Sequence, residues 1–211
     1  MYKKLIFPAF CLLLATACQT NTNNGNTTPP ATTDTTQAAP DAADLIPSGD
    51  LGYELKVVDG SLVSPRIELS GEIAGVPLKI NYGSPAVKGR TIFGDLIPYE
   101  QVWRTGANEA TRITFANDVM VGTEGQKLAA GTYSLFTLPA AKDKWTVIFN
   151  TVADQWGAYD YDEAADAVRV SGNSMPAPEK AERMHFAIDD SSIKISWDDL
   201  IISFPVTAAS K

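Results

Sequence analysis

Cysteine is almost missing from this chain of 211 residues, occurring only as Cys11 and Cys18. Both lie near the amino terminus, so disulfides cannot staple the long remainder, and its fold must rest on an apolar core. Histidine occurs once, as His185. A lone imidazole without a second His or a Cys is a poor start for zinc, so neither metal nor cofactor is expected. Positive charge is scarce as well: 17 Lys and Arg face 25 Asp and Glu, for a formal net charge of -8 and a pI near 4.6. Nucleic acid, whose phosphates demand clustered cations, is excluded as a partner. The Gly-x-Ser-x-Gly elbow, the His-Glu-x-x-His helix, the phosphate-binding loop and the dinucleotide fingerprint are all absent, which leaves the commonest enzyme chemistries without a foothold.

Long apolar runs are lacking too. Nothing after residue 20 approaches the roughly 20 apolar residues of a membrane-spanning helix. The apolar run 5–15 is shorter, follows Lys3 and Lys4, and leads through small residues to Cys18, which is the layout of a secretory signal peptide. Leu14-Ala15-Thr16-Ala17-Cys18 resembles the bacterial lipobox, with Ala15 where leucine is commoner. The alternative is ordinary cleavage nearby, with Cys18 merely present.

On the lipobox reading, residues 1–17 are a lipoprotein signal peptide and Cys18 carries the lipid. Each buried methylene of an acyl chain adds about 0.8 kcal/mol of membrane affinity. Residues 19–48 are rich in Thr, Asn, Pro, Ala and Gln and contain no Lys or Arg, so 18–48 read as the lipidated cysteine and a disordered tether. A flexible coil of this length spans on the order of 30 Å.

Residues 49–211 have the period-two pattern of a single β-domain. Val76, Leu78, Ile80 and Tyr82 alternate with polar residues, Ile113 and Phe115 do the same, and Trp145, Val147 and Phe149 alternate with Lys144, Thr146 and Ile148. Residues 127–137 read as a turn at Gly131 entering a strand, with 139–144 connecting to the Trp145 strand. Ile193, Ile195 and Trp197 run into Asp198-Asp199, and 201–206 return, which predicts a hairpin there, with Pro205 putting the last strand at an edge. Further runs at 51–58, 62–69, 119–123, 166–171 and 182–189 bring the total to roughly ten strands. Short helices are expected only at 162–167 and 178–183. The fold class is therefore all-β, an antiparallel β-sandwich of jelly-roll-like kind. Residues 84–100 form the exception, a long loop whose Val87, Ile92, Phe93, Leu96 and Ile97 must pack on something.

Four stretches stand out: Ser84-Pro85-Ala86-Val87-Lys88-Gly89-Arg90-Thr91-Ile92-Phe93-Gly94; Val102-Trp103-Arg104-Thr105-Gly106-Ala107-Asn108-Glu109-Ala110-Thr111; Gly131-Thr132-Tyr133-Ser134-Leu135-Phe136; and Gln155-Trp156-Gly157-Ala158-Tyr159-Asp160-Tyr161. Together they resemble the domain of unknown function family 2911 across residues 50–207. The resemblance implies a bacterial envelope domain and brings no chemistry with it.

The residues themselves suggest a ligand site. Arg90 and Arg104 suit a carboxylate or phosphate, Asn108, Glu109, Thr111 and Gln155 suit hydroxyls or amines, and Trp103, Trp156, Tyr159 and Tyr161 offer stacking faces for a sugar or peptide. The competing reading is a structural corner in which Arg104 pairs with Glu109 across a turn at Gly106, Asn108 takes a left-handed backbone and Trp103 fills the core. A third reading is glycan hydrolysis by Glu109 with Asp160, whose separation would have to be about 5 to 9.5 Å. His185, on a strand opposite Met184, Phe186 and Ile188, reads as a solvent-side residue.

The expectation is thus a lipid-anchored envelope domain that binds a small polar ligand, a glycan or a peptide and is more a binder than an enzyme. A carboxylate-based glycan hydrolase and a purely structural lipoprotein are the alternatives. The membrane would be reached through Cys18. Under Gram-negative sorting, Gln19 after the cysteine would send the protein to the outer membrane. No acidic cluster follows Cys18, so it would face the periplasm.

Overall fold

The computed structural model describes Leu45 and residues 49–210, all within the unit Ala38–Lys211. The signal peptide, Cys18 and almost all of the tether lie outside the described residues. Leu45 is buried in the main core.

Among the described residues, ten strands follow one another: β1 (Glu54–Asp59), β2 (Arg66–Ile73), β3 (Val76–Gly83), β4 (Thr111–Phe115), β5 (Val119–Val121), β6 (Gln126–Leu128), β7 (Gly131–Ala141), β8 (Lys144–Asn150), β9 (Asp166–Asp189) and β10 (Ser192–Ala208). They form one antiparallel sheet in the order β1-β2-β3-β4-β7-β8-β9-β10-β5-β6. The fold is all-β and sandwich-like, as the alternation in the sequence predicts.

Two long strands turn this sheet into a sandwich. Residues 166–172 of β9 pair with β8, whereas its remaining residues pair with β10, and the end of β10 pairs with β5. The second half of β9 lies across β2 and β3: the Tyr82 and Phe186 rings are 4.8 Å apart. A Cβ at Gly71 would come within 2.9 Å of Ile188 Cδ1. Between the layers, the alternating residues of β3, β4 and β8 meet Phe186, Ile195, Trp197 and Phe204 of β9 and β10. Each such large apolar side chain contributes roughly 1.5–3 kcal/mol when fully buried. One end of the sandwich is closed by the chain beyond β3. Val87 N–H donates to Glu182 O at 2.7 Å, Met184 N–H to Pro85 O at 2.9 Å, and Ala86 bridges Arg183.

The loop 84–100 is ordered and packed. Ile92 and Ile97 are buried, and Phe93 stands edge-on to Trp145 and Trp197 at 5.5 and 6.3 Å. Several local expectations are corrected. Asp198-Asp199 is no hairpin turn, because β10 continues through it as a bulge in which Asp198 takes a φ of 49° and pairs with Ala181. The reversal comes earlier, at Asp190, whose φ is 46°. The runs 166–171 and 182–189 are one strand, since the stretch 178–183, expected as a helix, is extended and pairs with β10 at Ala181. At 162–167 there is only a 3-10 turn, Glu163–Ala165, capped by the Asp162 carboxylate.

Pro205 lies on an interior strand, but where no donor is needed: pairing with β9 ends at Ser203 and pairing with β5 begins at Val206. The β7–β8 turn is tighter than 139–144, because Pro139 already pairs with Trp145. Ile148 is not on a solvent face. With Ala110 and Phe136 it forms a second, smaller core on the outside of the sheet, covered by Val102, Leu138, Ala158 and Tyr161.

Candidate functional site

Residues 102–111 cross the end of the sheet between these two cores. Trp103 exchanges backbone hydrogen bonds with Thr137 of β7, at 2.8 and 2.9 Å, which fixes the start of the segment. Its ring enters the main core stacked on Trp197, with centroids 5.7 Å apart and planes 20° from parallel. The chain then turns on two left-handed residues, Thr105 (φ 50°) and Asn108 (φ 63°). Asn tolerates this backbone, while for β-branched Thr it is strained. Hydrogen bonds hold Thr105 in place: its hydroxyl donates to Trp103 O at 3.3 Å, and its carbonyl accepts from Thr111 Oγ1 at 2.7 Å. Close packing fixes the rest, since a Cβ at Gly83 would stand 2.2 Å from Ala107 O.

The expected Arg104–Glu109 pair is not formed. Glu109 accepts from Arg66 Nη1 at 2.8 Å, and Arg66 Nε donates to Asn81. Arg66 is a buried cation at the start of β2. Burial pulls its pKa below the ordinary arginine value, against the opposing attraction of Glu109. Arg104 takes part in no ion pair among the described residues, and its buried Nε–H has no acceptor.

Nine of the ten candidate residues fall into two clefts and a framework, and Tyr159 lines neither cleft. Arg90, Trp103, Arg104 and Asn108 line one cleft of about 650 Å³, together with Val63, Lys88, Leu96, Ile97 and Trp197. Glu109, Gln155 and Trp156 line a second, of about 340 Å³, with Arg112 and Asp154, which form an ion pair. Trp156 is 59% exposed and Tyr159 82% exposed, so both remain available as stacking faces. Thr111 and Tyr161 belong to the framework. Thr111 is fully buried on Thr105, and Tyr161 packs edge-on to Phe136 and donates to Asp166 Oδ2 at 2.6 Å. Burial first, and then the Asp166 carboxylate, push the Tyr161 phenol well above its ordinary range.

Within the first cleft, Asn108 Nδ2 donates to Ser64 O at 3.2 Å and Arg90 donates to the carbonyls of Val87 and Ala86. The second cleft is joined to the first by the strand-like pairing of Glu109 with Trp156, in which Ala110 N–H donates to Gln155 O at 3.0 Å and Gly157 N–H to Asn108 O at 3.1 Å. Gln155 Nε2 donates to Ser134 Oγ and Val152 O, while its buried Oε1 is unpartnered. Asp160 is not among the residues lining Glu109's cleft; the second carboxylate there is Asp154. His185 is half-buried, its Nδ1 3.2 Å from Arg183 O. No three His, Cys, Asp or Glu side chains come together as a metal site among the described residues.

Two residues that sequence reasoning passed over matter here, Arg66 and Trp197. Arg66 directly precedes the apolar Ile67 at a strand start, a position where a cation needs partners. Trp197 reads only as a core strand residue.

The geometry defines an antiparallel β-sandwich with a mixed polar and aromatic cleft at one end. Its sequence places it further: residues 64–206 match the family described as protein of unknown function (DUF2911), and the chain belongs to that family. No curated protein and no solved structure matches it.

Proposed function

We propose that this protein is a lipid-anchored binding domain of the cell envelope, held through Cys18 at the outer membrane and facing the periplasm, whose end cleft takes a small polar ligand. One observation carries the binding part. Arg90, Trp103, Arg104 and Asn108, chosen for their chemistry, line a single cleft of about 650 Å³, a volume typical of small-ligand sites. The anchoring part is supported by Lys3, Lys4, the apolar run 5–15 and the residues before Cys18.

A thermal-unfolding screen of the full chain with sugars, short peptides and organic acids tests binding, since any ligand of the native state raises the midpoint. The expected hit loses its effect in Arg104→Gln. A hit that acts equally on that variant places the site elsewhere. Labelling with a radioactive fatty acid tests the anchor: Cys18→Ser is expected to lose the label, and a labelled variant rejects it. Hydrolysis by Glu109 with Asp160 has less support, because Glu109 holds Arg66 and shares its cleft with Asp154 instead.

A further inference from the structure

Two nitrogen donors in the first cleft's walls lack acceptors. Three tryptophans are buried in the sandwich. The indole N–H of Trp103 donates to Gly106 O at 3.2 Å and that of Trp145 to Lys142 O at 3.0 Å. That of Trp197 donates to nothing, although the residue is only 2% exposed. The arginines repeat the pattern. Arg66, Arg90, Arg112, Arg169 and Arg183 each hold at least one oxygen acceptor, and Arg104 Nε does not. Buried donors are rarely left unmade, because each carries a desolvation penalty of roughly 1–3 kcal/mol. Here two of them belong to residues that line the same cleft.

The charge of the lining points the same way. Lys88, Arg90 and Arg104 are there and no Asp or Glu is, in a chain of net charge -8. Beside the cleft, Glu182 accepts the backbone N–H of Lys88 at 2.9 Å. Apart from Asn108 and Ser64, the remaining side chains of the wall are mostly apolar: Pro85, Ile97 and Trp103 line it, with Val63 and Leu96 exposed at 78% and 42%. A free inorganic anion would have no use for that wall.

We infer that the cleft binds an organic oxyanion, its charged oxygens taken by Arg104 and the Trp197 indole N–H and its apolar body lying along Trp103, Leu96 and Val63. This rests on the ligand-binding reading above and names the chemical class of that ligand. The neutral indole donor orients the oxygens and Arg104 supplies the charge, so charged and neutral forms of one body are told apart by charge-assisted hydrogen bonds.

The test is a titration of the full chain followed by the nitrogen–proton resonances of the tryptophan indoles and arginine Nε groups, assigned with Trp→Phe and Arg→Lys variants. The probes are benzoate, phenyl phosphate, benzamide and inorganic phosphate. Benzoate or phenyl phosphate is expected to shift the Trp197 and Arg104 resonances saturably and to bind at least about tenfold more tightly than benzamide, a difference of roughly 1.4 kcal/mol. Whichever of the two binds more tightly identifies the oxyanion. Arg104→Gln is expected to abolish the preference over benzamide and Arg104→Lys to weaken it, while Arg112→Gln, in the other cleft, leaves it intact.

Equal binding of benzamide and benzoate overturns the anion inference. Inorganic phosphate binding as tightly as phenyl phosphate overturns the organic body. If a sugar or peptide moves these resonances and neither organic anion does, the class named here is wrong and the ligand-binding reading stands. If no compound of any class moves them, both fall.

Discussion

Arg66 and Arg104 make a matched pair of perturbations, because both side chains are engaged at the same end of the sandwich and only one has partners. Arg66→Met removes the donors held by Asn81 and Glu109 from a side chain 8% exposed. A hydrogen bond to a charged group contributes roughly 1.5–3 kcal/mol, but Glu109, 48% exposed, regains water when its partner goes, which lowers the loss. About 2 kcal/mol is the expected destabilisation, or a midpoint about 4–8 °C lower for a domain of this size. Arg104→Met keeps the apolar stem and deletes an N–H that has no acceptor. Its stability is expected to match the parent or to exceed it, by up to about 1–3 kcal/mol, because the desolvation penalty of that donor goes with it.

Urea unfolding of the full-length proteins, followed by tryptophan fluorescence, measures both, provided the denaturant slopes agree. If Arg104→Met costs as much as Arg66→Met, then Arg104 is a structural tie. Its Nε–H is then no donor held for a ligand.

Other consequences are equally open to measurement. Gly83→Ala forces a methyl to 2.2 Å from Ala107 O and is expected to cost about 1–3 kcal/mol through backbone displacement; a variant of unchanged midpoint contradicts the close packing. Trp197→Ala empties the space beside Trp103 and Phe93 and should lose about 3–5 kcal/mol in the same assay. Burial raises the phenol of Tyr82, and burial with Asp166 raises that of Tyr161, above the ordinary 10.0. The folded state therefore keeps these protons longer than the unfolded one. Their contribution is intact below pH 10 and is lost as pH climbs above it, so phenolate absorbance should appear in step with alkaline unfolding. Two tyrosines titrating before the fold is lost would contradict this.

Most of the strand pattern was legible in the sequence, because burial on one face leaves a period of two that Val76, Leu78, Ile80 and Tyr82 display openly. It misled where a strand continues through residues that usually end one. Asp198 is such a case: a carboxylate at positive φ is the mark of a turn, and only the facing register with β9 turns it into a bulge. Ile148 misled for another reason, since a second core on the far face has too few members to leave a period of its own. At the site, residue chemistry picked out Arg104 and Trp103, and the fold brings both to the lining of one cleft. It could not reveal that Glu109 turns toward Arg66, because that partner lies on a strand far away in the chain. Nor could it single out Trp197, whose interest lies in a hydrogen bond it does not make.

The closure of the sandwich by residues 84–87 on β9 also has a kinetic side. Ser84 Oγ donates to Met184 O at 2.7 Å, and Arg183 Nη1 returns a bond to Ser84 O at 3.2 Å, joining segments about a hundred residues apart. Contacts so distant in the chain form late, after local hairpins have reduced the loop that must be closed. The first cleft, whose wall includes Pro85 and Ala86, is thus completed only when this long-range seam closes. On the proposed function, ligand binding would then report finished folding, arriving after the secondary structure is already in place.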